Sequence, residues 1–221
     1  MSRSRMAQER VARMELILDR AEQLFVDKGY AATSVNDIAE AADFSRTSIY
    51  QYFGSKEEIY LHILERYTDL LTERVREAAS GSPTVPGKIR AFLDEIRRMI
   101  REKPNFFEMY FIQRHQVELR LSAELKGRLN AKRRRLENVF REFYRRGIER
   151  GEVRRIRFKD ASNLFFAQIM GMMLLHEYYG EEFDVTLEEH LEMSLQLYLE
   201  FVEKVDAQRK EPQTMERAVS G

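Results

Sequence analysis

Residues 29–58 read Gly29-Tyr-Ala-Ala-Thr-Ser-Val-Asn-Asp-Ile-Ala-Glu-Ala-Ala-Asp-Phe-Ser-Arg-Thr-Ser-Ile-Tyr-Gln-Tyr-Phe-Gly-Ser-Lys-Glu-Glu58, and the order of caps, small residues and aromatics here decides the fold. Ser34 is an oxygen-bearing N-cap, with Asp37 placed beside the free amides of the first turn. Val35, Ile38, Ala39 and Ala42 give the helix that follows a small apolar face. After a break at Asp43-Phe44, Ser45 caps a third helix from Arg46 to Phe53, with Ile49 and Phe53 facing inward. Two short helices about a turn apart, with small residues between them, have helix-turn-helix spacing.

Upstream, Val11, Met14, Ile17, Leu18, Ala21, Leu24 and Phe25 form one helical stripe, and Gly29 is placed to end it in a left-handed conformation. Downstream, Ser55 and Glu58 make a capping box for a long fourth helix carrying Ile59, Ile63, Leu64, Tyr67, Leu70, Leu71 and Val75. Gly81 to Gly87 is read as a loop within the second domain. Further helices are expected at 88–102, 105–115, 117–149, 159–179 and 186–206, with breaks at Pro104, Gly151 and Gly180. No alternating β-branched run bounded by turns occurs, so the fold class is all-α. The expected division is a helix-turn-helix domain (1–56), a larger helical domain (57–206) and a disordered tail (207–221).

Across its 221 residues the chain carries 37 Lys plus Arg against 37 Asp plus Glu, so no overall basic field advertises nucleic acid. The first 57 residues hold eight basic against nine acidic side chains, so charge that meets DNA must be local. Cysteine is absent, which excludes disulfide frameworks, Cys-ligated metal and cysteine nucleophiles. The most apolar run, Phe165 to Leu175, is interrupted by Gln168 and falls short of the roughly 20 residues of a membrane span. No apolar segment follows Arg3 and Arg5 as a secretory signal requires, so a cytoplasmic protein is expected.

The stretch from Gly29 to Glu58 resembles the DNA-binding signature of the tetracycline-repressor (TetR) family. The glycine stop, the Thr33-Ser34 cap, Ile38-Ala-Glu-Ala-Ala42, Ser45-x-x-x-Ile49-Tyr50-x-x-Phe53 and Ser55-Lys-Glu-Glu58 occur in order. Asp43 stands where many members have glycine, and Asp tolerates a left-handed backbone better than most residues. The resemblance implies a homodimer whose two third helices enter successive major grooves of a palindromic operator. It implies a small-molecule effector that alters their separation, and a four-helix dimer interface from the last two long helices, here 158–179 and 186–204. Leu191, Ser194, Leu195, Tyr198 and Val202 are the apolar stripe expected to form it, with Ala167 and Gly171 allowing close approach.

With Ile49 and Phe53 inward, Ser45, Arg46, Thr47, Ser48, Tyr50 and Gln51 are left for DNA. Arg46 suits guanine and Gln51 adenine; the Thr47 methyl suits thymine, and the Ser48 hydroxyl serves either way. By resemblance Tyr50, Lys56 and Thr33 contact phosphates. Arg3, Arg5, Arg10 and Arg13 form either a flexible basic arm or a solubilising tail. Phe107, Tyr110, Phe111, Phe166, Met170 and Met173 are the large, adaptable apolar residues expected around an effector, with Arg114 among the polar groups able to orient its head, beside Gln113, His115 and Gln168. A fatty acid or acyl thioester is one ligand class that such a lining suits.

Other signals are discounted. Lys132-Arg-Arg-Arg135 is read as a solvated face of a helix whose buried stripe is Leu129, Leu136, Val139, Phe140, Phe143 and Tyr144. His176-Glu177 lacks the second histidine of a zinc-protease motif, and none of the four histidines has a glutamate three residues before it. No phosphate-binding glycine loop occurs, so no metal or cofactor is called for. A helical enzyme or a protein–protein adaptor are the alternatives.

Overall fold

The computed structural model describes residues 3–203; the expected tail 207–221, the end of the last expected helix and the Arg3 side chain lie outside what is described. Helix α1 (Arg3–Lys28) packs Ile17, Leu18, Ala21 and Phe25 inward and stops at Gly29, φ +81°. The expected stripe begins late: Val11 is exposed, and the first inward side chain of the stripe is the half-buried Met14. Arg3, Arg5, Arg10 and Arg13, read from the sequence as a basic arm or a solubilising tail, lie in the first turns of this helix. Arg13 pairs with Glu9, and Arg10 donates to the Gln51 carbonyl at 3.1 Å and lies over the Tyr52 ring.

Helix α2 (Val35–Ala41) has the anticipated capping box, Ser34 with Asp37. The turn places Asp43 at φ +58°, the left-handed residue the turn needs. Helix α3 (Arg46–Tyr50) is capped by Ser45 and anchored by Ile49 and Phe53, both essentially inaccessible. Helix α4 (Lys56–Ser80) is capped by Ser55, but the Glu58 carboxylate accepts from the Gly54 amide, 2.7 Å, so the expected box is displaced by one residue. At 25 residues, and ~1.5 Å of rise each, α4 spans roughly 37 Å and packs against α1, α5 and α8.

The loop between α4 and α5 is shorter than the expected 81–87. Thr84 caps α5 (Val85–Glu102), and Pro86 sits in its first turn, where the missing N–H costs nothing. Helix α6 (Pro104–Phe107), a π-helical segment (Glu108–Gln113) and α7 (Arg114–Glu118) follow without a break. The long helix α8 (Ala123–Arg150) begins six residues later than the sequence suggested, at the Ser122 cap. Leu129, Leu136, Phe140 and Tyr144 are buried as expected, whereas Val139 and Phe143 are half-buried. A Cβ on Gly147 would lie 2.2 Å from Val85 Cγ2, so glycine is what lets α8 meet the start of α5.

Helices α9 (Phe158–Tyr179) and α10 (Leu187–Val202) lie against each other, and α10 also meets α5. One expectation fails here. Leu191, Ser194, Leu195, Tyr198 and Val202 are buried inside the protomer, where Tyr198 donates to the Ala161 carbonyl at 2.9 Å. The outward apolar face of the pair is instead Leu164, Leu175 and Tyr178 with Met193, Leu197 and Phe201. The amphipathic period was right and the face was wrong, because this stripe packs against α9 and α5 of the same protomer. Among the described residues no strand forms, and no helix is long and apolar enough to cross a membrane.

Candidate DNA-reading helix and effector cavity

On α3 the two anchors turn Ser45, Arg46, Thr47, Tyr50 and Gln51 to solvent, with Ser48 half-buried. Ser45 Oγ caps the Ser48 amide at 3.0 Å and contacts Ser48 Oγ at 2.8 Å. Both hydroxyls are therefore engaged at the helix start. The Arg46 guanidinium lies 5.6 Å above the Tyr50 ring and 3.5 Å from its hydroxyl. Arg10, assigned by sequence only to an arm, is fixed against the C-terminal end of α3 through Gln51. Its position depends on how α1 crosses α3, which no local pattern encodes.

Two proposed phosphate contacts are altered. Thr33 is 1% exposed, and its hydroxyl donates to the carbonyls of Gly29 and Leu24 at 2.9 and 3.1 Å. It closes the turn after α1 and cannot reach DNA. Lys56 donates to the carbonyls of Tyr30 and Thr33 at 2.8 and 2.7 Å and lies over the Tyr30 ring. Its ammonium clamps the same turn, and burial holds its pKa below the usual lysine value.

Beneath the reading head, the rings of Phe25, Tyr30 and Tyr60 stand 5.4 Å apart. The Tyr60 hydroxyl donates to the Met109 carbonyl at 2.5 Å, and the Gln113 amide donates to the Phe25 carbonyl at 2.7 Å. Both acceptor and donor belong to the π-helical segment, which touches α1, α4 and α9. Such segments are rare and concentrate at functional positions. Gln113 Oε1 is buried with no hydrogen-bond partner, so this contact is not fully satisfied.

The other side of the π-segment faces a cavity of about 310 Å³. Of the expected effector residues, Tyr110, Phe111, Arg114, Phe166 and Met170 line it, while Leu71, Phe92, Ile96, Leu136 and Ile169 complete its apolar walls. Phe107 and Met173 do not: Phe107 packs on Phe111, and Met173 is wholly buried in α9's own core contacts. Arg114 pairs with Glu118 at 2.5 Å and lies over the Tyr110 ring. Of the other polar residues considered, Gln113 is engaged as above, His115 is exposed and Gln168 Oε1 is buried without a partner.

The sequence reading missed Arg133, Glu137 and Asn163, which also line the cavity. Within the basic run, Lys132 pairs with Asp69, and Arg134 and Arg135 face solvent, but Arg133 points to the cavity. Helical spacing one position on from Lys132 is the signal that separates it. His176 and His190 share a 2.6 Å contact beside Phe183, and among the described residues no group of three metal-binding side chains forms.

Residues 17–63 match the family model for bacterial regulatory proteins, tetR family. The HTH-type transcriptional activator FasR of Mycolicibacterium smegmatis is 31% identical over 110 residues, spanning half of each protein. The HTH-type regulator YfiR of Bacillus subtilis is 27% identical over 195 residues, 86% of this chain and 91% of YfiR. The crystal structure of the transcriptional regulator FadR from Bacillus subtilis in complex with stearoyl-CoA superposes with a TM-score of 0.72 at 21% identity, covering 85% of this chain and 98% of FadR; at that identity the likeness is one of fold. The matched segment coincides with the capped, anchored α2–α3 unit, so residues 17–63 carry a helix-turn-helix region of the kind found in the tetR family of bacterial regulatory proteins, and the relatives that the chain resembles are HTH-type regulators of transcription.

Proposed function

We propose that the protein is a cytoplasmic, ligand-responsive repressor that holds a palindromic operator as a homodimer and releases it when a hydrophobic effector enters the cavity. The observation that carries this reading is a direct connection: α1 and α4, which hold the Phe25–Tyr60 aromatic group and pack against the helix-turn-helix unit, are tied to the π-segment that lines the cavity by the Gln113 and Tyr60 hydrogen bonds. Residues 1–56 act as the reading head and 57–206 as the sensing and pairing body. Arg46 reads guanine and Gln51 adenine; Thr47 and Ser48 add minor preferences, and Tyr50, Arg10 and the third proton of Lys56 meet phosphates.

The outward face of α9 and α10 supplies the interface between two copies, which sets the half-sites about 34–36 Å apart. The effector class, a fatty acid or acyl thioester, is supported by the mainly apolar cavity and by the stearoyl-CoA carried by FadR. A ligand releases DNA only through a difference in affinity between the two conformations. Selection of bound fragments from random duplex DNA, repeated with a metabolite extract present, tests the proposal. One palindrome, lost in the presence of extract, is the expected result; recovery of no motif under either condition refutes it.

A further inference from the structure

Resting on that effector reading, we infer that the cavity takes an acyl chain of about ten carbons joined at its polar end to an uncharged carbonyl linkage of the thioester type, in preference to a free carboxylate. Volume sets the length. The 310 Å³ cavity holds roughly ten groups of about 30 Å³ each, the share of one water in the liquid, and a methylene is close to that size.

Charge sets the head group. Arg114 is not available as a counter-ion, because Glu118 at 2.5 Å already neutralises it and its guanidinium lies 5.1 Å from the Tyr110 centroid. The exposed lining residues, Arg133 and Asn163, mark the mouth between α8 and α9, and Glu137 stands one helical turn from Arg133. Neither Arg133 nor Glu137 forms an ion pair with another described residue. The mouth is thus lined by one cation and one anion, each without an ion-pair partner among the described residues. A carboxylate drawn to Arg133 is repelled by Glu137. A neutral carbonyl accepts from Arg133 or the Asn163 amide at no such cost, and leaves Glu137 to accept an N–H further along the head, as in an amide-bearing thiol carrier.

The test uses the full chain and isothermal titration with S-decanoyl-N-acetylcysteamine, an uncharged amide-bearing thioester, against decanoate, each within a chain-length series. The thioester is expected to bind at least about five-fold more tightly, the scale of one exposed charge contact, with an optimum near ten carbons. Glu137→Gln should strengthen decanoate by a similar factor and leave the thioester unchanged; Arg133→Gln should weaken both. Both positions are at the surface-facing mouth, and thermal melts of the variants establish that they fold. Equal or tighter binding of decanoate, affinity that rises through octadecanoyl, or a Glu137→Gln variant with unaltered decanoate binding overturns the inference. If no acyl probe binds while another compound releases a selected operator, this inference falls and the regulator reading stands. If acyl probes bind as expected but no operator is selected, the ligand inference stands and the regulator reading falls.

Discussion

Arg46 rests on Tyr50 in the free protein, so the guanine contact proposed for it exchanges a weak, exposed stacking contact for a base edge. That exchange favours DNA, because a bidentate pair with guanine discriminates by about 1–3 kcal/mol. Arg46→Ala is therefore expected to lose about 5- to 150-fold in operator affinity and to relax preference at one base pair, measured by fluorescence anisotropy at fixed salt. Asp43, at φ +58°, is the other position where one residue decides. A β-branched side chain there meets the left-handed penalty, and Asp43→Val should lower stability by about 1–2 kcal/mol, while Asp43→Gly keeps or raises it; urea unfolding measures both. The sequence displayed the Ser45 cap, the Ile49 and Phe53 anchors and the Asp43 turn because each is local. Thr33 was misread for the opposite reason: its hydroxyl is taken by carbonyls at the end of α1, and the alternative acceptor is visible only once the turn is closed.

At the scale of elements, the π-segment and the α9–α10 pair escaped the sequence in different ways. Residues 108–113 carry ordinary helical periodicity, and nothing in them announces an i→i+5 register; the register comes from holding Tyr60 and Phe25 on one side and the cavity on the other. Gln113→Leu removes the tie to α1 and the buried unpaired oxygen together. It is expected to leave operator and effector affinities within a few-fold of native but to reduce effector-driven release, read by anisotropy of operator with and without ligand. In α10 the period was legible and the partner was not, since a stripe facing α5 and a stripe facing a second copy look alike in sequence. Leu195→Ala, in the protomer core, should cost about 2–5 kcal/mol of stability. Leu197→Glu, on the exposed face, should spare the protomer and shift sedimentation equilibrium towards monomer; an unchanged dimer would reject that face as the interface.

For the whole molecule, balanced charge hides strongly placed charge. Arg66 bridges Glu15, Asp19 and Glu22 to tie α4 to α1, and Arg128 of α8 meets Glu58 and Glu65 around His62, whose ring packs on Phe53 at the base of the reading head. Burial, then the nearby Arg128 guanidinium, holds His62 below its ordinary value of 6.5, against the opposing pull of Glu65 and Glu58. The unfolded imidazole then takes a proton that the folded one refuses. Its contribution is complete above pH 6.5 and declines as pH falls through the unfolded value towards the folded one. Urea midpoints between about pH 5 and pH 7 should fall on acidification, and His62→Gln should flatten that limb. Helical periodicity foretold the all-helical chain, but which helix meets which is a property of the assembled molecule.

Helix α9 carries two sets of positions on one cylinder. Asn163, Phe166 and Met170 border the cavity, while Leu164, Leu175 and Tyr178 lie on the outward face proposed for the second copy. The sets are about 100° apart, the turn made by a single residue in a helix of 3.6 residues per turn. Inserting one residue upstream in α9 would turn the cavity positions towards the proposed partner and the outward positions away from it, whereas deleting one would turn the outward positions towards the cavity. Descendants of this gene can therefore acquire new chemical tastes by substitution along α9, but its length is heritable only as it stands.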